Sequence, residues 1–98
     1  MSDRHRYVVT YDIADPKRLR HVFKTMKEFG QHTQYSVFVC DLDRTEYFRL
    51  QNALIDIVNT KRDRIMFVDV GPAASTAPRF TNLGLRPNLP DSTGPTIL

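Results

Sequence analysis

The chain has 98 residues, enough for one domain with a single modest core, and this length excludes a second domain. Its 14 Lys and Arg residues outnumber 11 Asp and Glu residues, giving a net charge of +3, and most of the cations are arginines, the side chain that pairs best with phosphate. A single cysteine excludes an internal disulfide, and no stretch reaches the ~18 apolar residues of a membrane span, so we expect a cytoplasmic protein that forms a homodimer.

The first two predicted elements are a strand and a helix. Residues 7–13 are rich in β-branched and aromatic side chains, which is typical of a buried strand. Asp15 then provides an N-cap and Pro16 a first helical residue, because the N–H that proline lacks would be unpaired there in any case. A helix over residues 16–29 follows, with its apolar residues at helical spacing, and Gly30 is predicted to end it in a left-handed conformation.

The middle of the chain predicts two short strands and a second helix. Residues 31–42 are strand-like but too long for one strand, so we expect a kink or a tight hairpin near residues 35–36 that divides the stretch into two short strands. Asp43 and Glu46 have the spacing of a capping box. This pattern predicts a second helix that extends to about Asn59.

A last strand over residues 65–70 completes the order β-α-β-β-α-β. This order is typical of an α+β ferredoxin-like sandwich, with two helices on one face of one sheet. Neither side of the first strand is clearly polar, so we expect the uncovered sheet face to pack against a second copy. Residues 73–78 are small and linker-like, and residues 87–98 are rich in Pro, Asn, Ser and Gly. We therefore expect the domain to span residues 1–86 and residues 87–98 to form a flexible tail.

Asp12 is the first candidate functional residue, because it is a carboxylate near the end of an apolar strand. Burying an unpaired carboxylate is costly, so its side chain needs a partner. One interpretation is a structural carboxylate that caps the backbone of the next turn. The other is a ligand for Mg²⁺, which proteins commonly hold with one or two carboxylates. At the two-fold axis of a dimer, a pair of Asp12 side chains would surround one metal ion and suit it for phosphodiester hydrolysis.

Four cations of the first helix lie opposite its apolar stripe and form what we call the basic ridge: Lys17, Arg20, Lys24 and Lys27. One interpretation is a solvated helix face. The other is a surface for nucleic-acid phosphates, since only Glu28 offers a counter-charge within this helix. Phosphate contacts of this kind are independent of base sequence, so the ridge favours binding of the nucleic-acid backbone.

Other residues that could carry chemistry fit structural roles better. Zinc is not expected, because the histidines lack metal-ligand spacing. Asp41 and Asp43 could chelate a cation, but Asp43 is already predicted as a helix cap. Cys40 lies inside a strand pattern and is predicted to be a buried thiol.

Three blocks of the sequence resemble the CRISPR-associated Cas-two family, which are small proteins of the spacer-acquisition machinery. The blocks are residues 7–13 (YVVTYDI), residues 15–20 (DPKRLR) and residues 30–38 (GQHTQYSVF). Their order and spacing extend the resemblance over about residues 6–71, and residues 80–84 (FTNLG) resemble the last strand of the family. The resemblance covers most of the chain and implies a ferredoxin-like homodimer.

The resemblance also implies the location of the site. A C-terminal strand, predicted over residues 79–85, would add to the sheet of the partner copy, and one Mg²⁺ or Mn²⁺ ion per dimer would bind at Asp12. The family positions implicated in activity are occupied here by Tyr11, Asp12, Arg18, Arg20 and Phe38. A position that is often basic in the family is His32 here. A neutral imidazole stabilises phosphorane-like charge less well than arginine, so we expect any nuclease activity to be weak or to favour lower pH.

Two functions follow from the resemblance. Members of the family are described as metal-dependent endonucleases that act on RNA or DNA, and also as scaffolds that join the Cas-one integrase around double-stranded DNA. We therefore expect a spacer-acquisition subunit that binds nucleic-acid backbone as a homodimer and resembles metal-dependent endonucleases. The alternative is a non-catalytic, DNA-bridging scaffold for the Cas-one integrase. A third class, a small-ligand regulatory domain of the same fold, would not bind DNA.

Overall fold

Two helices and four strands make up residues 3–75, the part of the chain that the structure, a computed structural model, describes. The elements are β1 (His5–Asp12), α1 (Pro16–Phe29), β2 (Gln31–Gln34), β3 (Val37–Leu42), α2 (Arg44–Ile55) and β4 (Arg64–Pro72). This order confirms the predicted β-α-β-β-α-β arrangement. The predicted exchanged strand over residues 79–85 and the predicted tail over residues 87–98 lie outside the described residues.

The strands of this part of the chain form one sheet in the order β2-β3-β1-β4, and every neighbouring pair is antiparallel. β1 lies in the middle, where Thr10 is opposite Val37 of β3 on one side and opposite Met66 of β4 on the other. Each helix therefore connects two strands that are separated by a third one. This is the α+β ferredoxin-like topology that the sequence predicts.

The first helix, α1, has the predicted bounds. Asp15 Oδ2 accepts a hydrogen bond from the backbone N–H of Arg18 at 3.0 Å, and Pro16 occupies the first helical position. Val22 and Met26 point into the core and are fully buried. The cap and the apolar stripe read from the sequence are both confirmed.

Gly30 ends α1, but the predicted left-handed conformation is wrong. Its φ of −160° and ψ of −170° are extended values that any residue adopts. The close approach of β3 requires a glycine here instead, because a Cβ atom on Gly30 would overlap Sγ of Cys40 and lie 2.6 Å from the carbonyl oxygen of Val39. Tertiary packing, not helix capping, explains this glycine.

The second helix, α2, begins at the predicted capping box. Asp43 Oδ1 accepts the backbone N–H of Glu46 at 2.8 Å, and Glu46 Oε1 accepts the backbone N–H of Asp43 at 2.9 Å. The helix ends at Ile55 and not near Asn59, because the Leu54 carbonyl accepts the N–H groups of two turn residues that follow. Of the two helices in residues 3–75, neither is long and apolar enough to cross a membrane.

A two-residue turn joins β2 to β3, as predicted. Gln34 pairs with Val37, which leaves Tyr35 and Ser36 at the tip. Tyr35 has a φ of 45°, in the left-handed region where residues other than glycine are uncommon. His32 Nε2 lies 2.6 Å from the carbonyl oxygen of Tyr35. A carbonyl oxygen only accepts, so the imidazole donates through Nε2 and holds the turn.

The core lies between the helices and one face of the sheet. Its buried side chains are Val9, Tyr11, Val22, Met26, Phe38, Cys40, Leu42, Leu50 and Leu54. The opposite face, which no helix of residues 3–75 covers, exposes Met66, Val68 and Val70 of β4. We call this surface the open face, and it matches the apolar, uncovered sheet face that the sequence predicts.

Candidate functional site

Asp12 is the last residue of β1 and is exposed. Successive strand residues point to opposite faces, and Tyr11 is buried on the helix side, so Asp12 lies on the open face. Arg64 of β4 is directly opposite Asp12 in the register. Within residues 3–75, the Asp12 carboxylate takes part in no ion pair. The prediction that burial desolvates this carboxylate is therefore wrong for a single copy, because Asp12 is the last residue of the strand and its side chain is exposed.

Tyr11 and Phe38, two residues expected at the active site, lie on the other side of the sheet from Asp12. Phe38 is 0 % exposed and Tyr11 is 6 % exposed, and their ring centroids are 6.2 Å apart. Burial raises the pKa of Tyr11 to about 12, although a hydrogen bond with Ser36 acts in the opposite direction. Both aromatic side chains pack in the core, and the structure does not bring them to the Asp12 carboxylate.

Arg18, a third predicted site residue, is held by Asp63. Its Nε and Nη2 atoms donate to the two carboxylate oxygens at 2.7 and 3.1 Å. The Asp63 side chain is 0 % exposed and also accepts the backbone N–H groups of Ala14 at 2.9 Å and Asn59 at 2.8 Å. The Arg18 bond, followed by the two backbone bonds, keeps the pKa of Asp63 well below its usual range. Asp63 thereby ties two segments to the turn before β4: the loop after β1 through the Ala14 N–H, and α1 through Arg18.

Sequence reasoning did not identify Asp63 or Tyr35. Asp63 lies in a polar turn, and its partners Arg18 and Ala14 are 45 and 49 positions away, so no local pattern indicates its role. Tyr35 belongs to a strand-like stretch, which hides its left-handed conformation. The one signal for Tyr35 is the excessive length of that stretch, which predicts a turn but not the direction of the ring.

The basic ridge lies on the solvent side of α1. All four of its residues, Lys17, Arg20, Lys24 and Lys27, are exposed. None of them forms an ion pair with another described residue. Lys27 Nζ lies 5.6 Å from the ring centroid of Phe23, within the range of a cation–π contact, and the residue remains exposed. Because these cations are exposed and outside any ion pair of the described residues, the ridge presents a positive surface.

Metal ligands are sparse in one copy. Residues 3–75 contain no group of three or more His, Cys, Asp or Glu side chains that could hold a metal ion. Asp41 accepts bonds of 2.7 and 2.8 Å from Arg6, and Asp43 caps α2, so neither is available for the chelation that their spacing allows. His5 Nδ1 lies 2.9 Å from Asp69 Oδ1. A cation at Asp12 therefore needs ligands beyond one protomer.

Cys40 and His32 contribute to packing. Cys40 is fully buried, which confirms the predicted buried thiol, and this burial raises the pKa of Cys40 to about 12. The His32 ring centroid lies 5.0 Å from those of both Phe23 and Phe38, and its Nε2 is bonded to the Tyr35 carbonyl. The imidazole at this position thus fills an aromatic cluster and supports the β2–β3 turn.

Comparisons with known sequences identify the family. Residues 5–76 match the family described as CRISPR associated protein Cas2. The chain is 45 % identical over 80 residues to CRISPR-associated endoribonuclease Cas2 1 of Rhodospirillum rubrum, a match that covers 82 % of this chain and 78 % of that protein. It is 41 % identical over 80 residues to CRISPR-associated endoribonuclease Cas2 of Geobacter sulfurreducens, covering 82 % of this chain and 84 % of that protein.

Solved structures agree with this assignment. The crystal structure of Streptococcus pyogenes Cas2 is 38 % identical, with a TM-score of 0.64 over 67 % of this chain and 86 % of that one. A hypothetical protein from Thermus thermophilus is 27 % identical, with a TM-score of 0.71 over 88 % of this chain and 96 % of that one. The matched residues include every strand and helix described above, and the chain belongs to the CRISPR-associated protein Cas2 family.

Proposed function

We propose that the chain is a CRISPR spacer-acquisition subunit that binds nucleic-acid backbone as a homodimer and hydrolyses phosphodiester bonds with a divalent metal ion. The observation that carries the binding part is the basic ridge, whose four cations are exposed and outside any ion pair within residues 3–75. Relatives named CRISPR-associated endoribonuclease support the hydrolytic part.

The basic ridge suits a phosphate backbone in length. Lys17 and Lys27 are ten positions apart on α1, which corresponds to about 15 Å at the helical rise of ~1.5 Å per residue. Phosphates of one DNA strand follow each other at roughly 3.4 Å along the helix axis. The ridge therefore spans several phosphates of one strand, and its contacts would be sensitive to salt and indifferent to base sequence.

The open face supports a homodimer. Met66, Val68 and Val70 are 51 %, 41 % and 38 % exposed, and Val8 is directly opposite Val68 in the register. A second copy that packs on this face would bury these side chains. Asp12 lies on the same face, so such a dimer would bring two Asp12 carboxylates toward a shared site.

A C-terminal strand over residues 79–85 that adds to the partner's sheet would strengthen this dimer. A chain that ends after Ser75 tests this part of the proposal, because it keeps the bond from the Ala73 N–H to the Arg4 carbonyl. Light scattering should show a monomer or a weaker dimer. A dimer of undiminished stability would remove the exchanged strand from the proposal.

Asp12 is the residue that would hold the metal ion. Carboxylate oxygens are the donors that Mg²⁺ prefers, and those of Asp12 are exposed and outside any ion pair of the described residues. Two copies of Asp12 around one ion fit the one or two carboxylates that Mg²⁺ commonly uses. Bound there, the metal would supply charge stabilisation and an activated water for phosphodiester hydrolysis. Asp63 fixes the loop after Asp12 through the Ala14 N–H and holds Arg18 in an ion pair, and Arg20 would contribute charge for the phosphate.

A non-catalytic scaffold that bridges DNA for the Cas-one integrase is the second candidate, and one observation favours it. Tyr11 and Phe38 are buried on the face opposite Asp12, and Arg18 is neutralised by an ion pair. Of the five predicted catalytic residues, this leaves only Asp12 and Arg20 exposed. A surface with so few side chains that could take part in catalysis suits contact with the nucleic-acid backbone without hydrolysis.

The variant Asp12→Asn separates the two candidates. We expect it to abolish Mn²⁺-dependent cleavage of RNA and DNA while dimerisation and duplex binding persist. Asp56→Asn, which removes another exposed carboxylate, is the matched control and should keep the wild-type cleavage rate. If spacer acquisition in cells is lost only with Asp12→Asn, hydrolysis is required. If acquisition survives that change, the scaffold function is correct.

A further inference from the structure

A groove between α1 and the β2–β3 turn combines an apolar lining with cations. We call it the α1 groove; its volume is about 410 Å³, within the roughly 300–1,000 Å³ typical of ligand sites. Its apolar lining consists of Tyr11, Leu19, Phe23 and Tyr35. Its cations are three members of the basic ridge, Arg20, Lys24 and Lys27. None of the described residues that line the groove is acidic, so the groove complements an anion that carries an apolar ring.

Tyr35 presents its ring at the edge of this groove. The residue is 49 % exposed, and its φ of 45° is uncommon for an aromatic residue. The backbone of the turn is fixed at two points: His32 donates to the Tyr35 carbonyl at 2.6 Å, and the Tyr11 N–H donates to the Ser36 carbonyl at 3.1 Å. An exposed ring on a fixed turn loses little entropy when a flat ligand stacks on it.

We propose that the α1 groove binds an unpaired nucleobase of a single-stranded nucleic-acid segment, with the base against Tyr35 and its flanking phosphates on Arg20, Lys24 and Lys27. This inference rests on the proposed function, because the same cations belong to the basic ridge. Stacking on an aromatic ring is tolerant of base identity, since every base has a π face. The α1 groove therefore distinguishes paired from unpaired nucleotides, not one sequence from another.

A blunt duplex cannot use the apolar part of the groove. Between its two ends its bases are stacked on one another, and there it offers a protein surface only phosphates, sugars and base edges. An overhang, in contrast, contains bases that leave the stack at small cost. An overhang also adds phosphates, so the contribution of the base must be measured against a strand with the same charge.

The test measures dissociation constants of the full chain by fluorescence polarisation for three probes that share one duplex. The first is blunt, the second has a short thymidine overhang, and the third has an abasic overhang with the same number of phosphates; each is made as DNA and as RNA. We expect the thymidine overhang to bind roughly 5- to 150-fold more tightly than the abasic one, the range reported by substitution of stacking residues. We call the dissociation constant of the abasic overhang divided by that of the thymidine overhang the ratio. The variant Tyr35→Asn should bring this ratio toward one, because asparagine tolerates the left-handed turn but has no ring.

Two further variants keep the test decisive. Tyr35→Phe retains the ring and should retain the ratio, which separates stacking from any change in the turn. Phe48→Ala removes an aromatic side chain of α2 that is 53 % exposed and does not line the groove, and it should also retain the ratio. A loss of the ratio in Phe48→Ala would place the base elsewhere and overturn the inference.

The remaining outcomes distinguish the inference from the proposed function. A ratio near one for the wild-type chain in both the DNA and the RNA series overturns the groove proposal, and salt-sensitive binding of the blunt duplex would still stand. A ratio above one that Tyr35→Asn abolishes in either series supports the groove proposal. The series with the larger ratio shows whether the groove prefers DNA or RNA. Absence of binding to every probe at low salt would overturn the proposed function itself.

Discussion

Arg18 and Asp63, 45 positions apart in the sequence, form a two-bond ion pair that holds α1 against the turn before β4. The Asp63 side chain is fully removed from solvent and also accepts N–H groups from Ala14 and Asn59. The loop that follows Asp12 is therefore fixed by a contact that lies outside the sheet. Because Asp63 accepts all of these bonds as a carboxylate, protonation of this one group weakens every one of them.

This geometry predicts acid sensitivity. Asp63 has a folded-state pKa well below its ordinary value of 3.8, with the Arg18 hydrogen bond as the main cause. A lowered folded-state pKa means that the stabilisation is complete above about pH 4 and is lost as the pH falls toward the folded-state pKa. Urea denaturation between pH 6 and pH 2.5 should show a free energy of unfolding that is flat at first and then decreases with acidification.

The variant Asp63→Asn tests whether the Asp63 carboxylate contributes to the decrease in the free energy of unfolding with acidification. It should be less stable than the wild-type chain at pH 6, and its free energy of unfolding should decrease less steeply below pH 4. Asp15, Asp41 and Asp69 also have lowered pKa values, so the wild-type slope is a sum and the difference between the two proteins is the relevant quantity. Parallel curves for the two proteins would contradict the assignment.

The local features of the fold could be predicted, and the long-range ones could not. Asp15 before Pro16, and Asp43 three residues before Glu46, fix the start of each helix through bonds within four residues, so their patterns are visible in sequence. Gly30 also marks the correct helix end, but its conformation depends on the approach of β3. No local pattern encodes that approach, which is why the left-handed prediction is wrong.

Gly30→Ala should be destabilising. The added methyl group would overlap Sγ of Cys40 and press on the Val39 carbonyl oxygen, and the expected cost is about 1–3 kcal/mol, as for overpacked cores. Urea denaturation at pH 7 measures it. Combining Gly30→Ala with Cys40→Ala relieves only the contact with sulfur, so the pair should remain less stable than Cys40→Ala alone. Equal stability of those two proteins would show that backbone contact is unimportant.

The basic ridge should act through charge. Replacing Lys17, Arg20, Lys24 and Lys27 by glutamine should leave the thermal transition nearly unchanged, because all four side chains are exposed and outside any ion pair of the described chain. Binding of a blunt duplex should weaken, and the slope of log K against log salt concentration should decrease by up to ~4 per chain. Fluorescence polarisation over a salt series provides both quantities.

The matched control removes charge from another exposed place. Lys61 and Arg62 lie in the turn before β4 and are exposed. The double variant Lys61→Gln with Arg62→Gln should change the salt slope by less than the ridge variant does for each charge removed. An equal loss per charge would mean that net charge alone, and not the ridge, controls binding.

The candidate site could be predicted in part. Asp12 and the basic ridge are exposed, as a cation ligand and a phosphate surface must be, and both were indicated by sequence pattern. Strand alternation places Tyr11 and Asp12 on opposite faces but does not identify the buried face from the sequence, because neither side of β1 is clearly polar; burial of Tyr11 in the core identifies it. Arg18 looks like a free cation in the sequence because its partner Asp63 is remote.

The final prediction concerns the metal ion at Asp12. Two exposed Asp12 carboxylates brought together on the open face of a dimer would repel each other, and a divalent cation between them would remove that repulsion. Mg²⁺ or Mn²⁺ should therefore raise the melting temperature of the wild-type chain, with a dependence on concentration that follows mass action for a ligand bound only by the folded state. A site with only two protein ligands binds Mg²⁺ loosely, so the rise should require millimolar metal. The rise in melting temperature should disappear in Asp12→Asn and persist in Asp56→Asn, the exposed-carboxylate control. An equal metal response in the wild-type chain and in Asp12→Asn would place the cation at another site and overturn the assignment to Asp12.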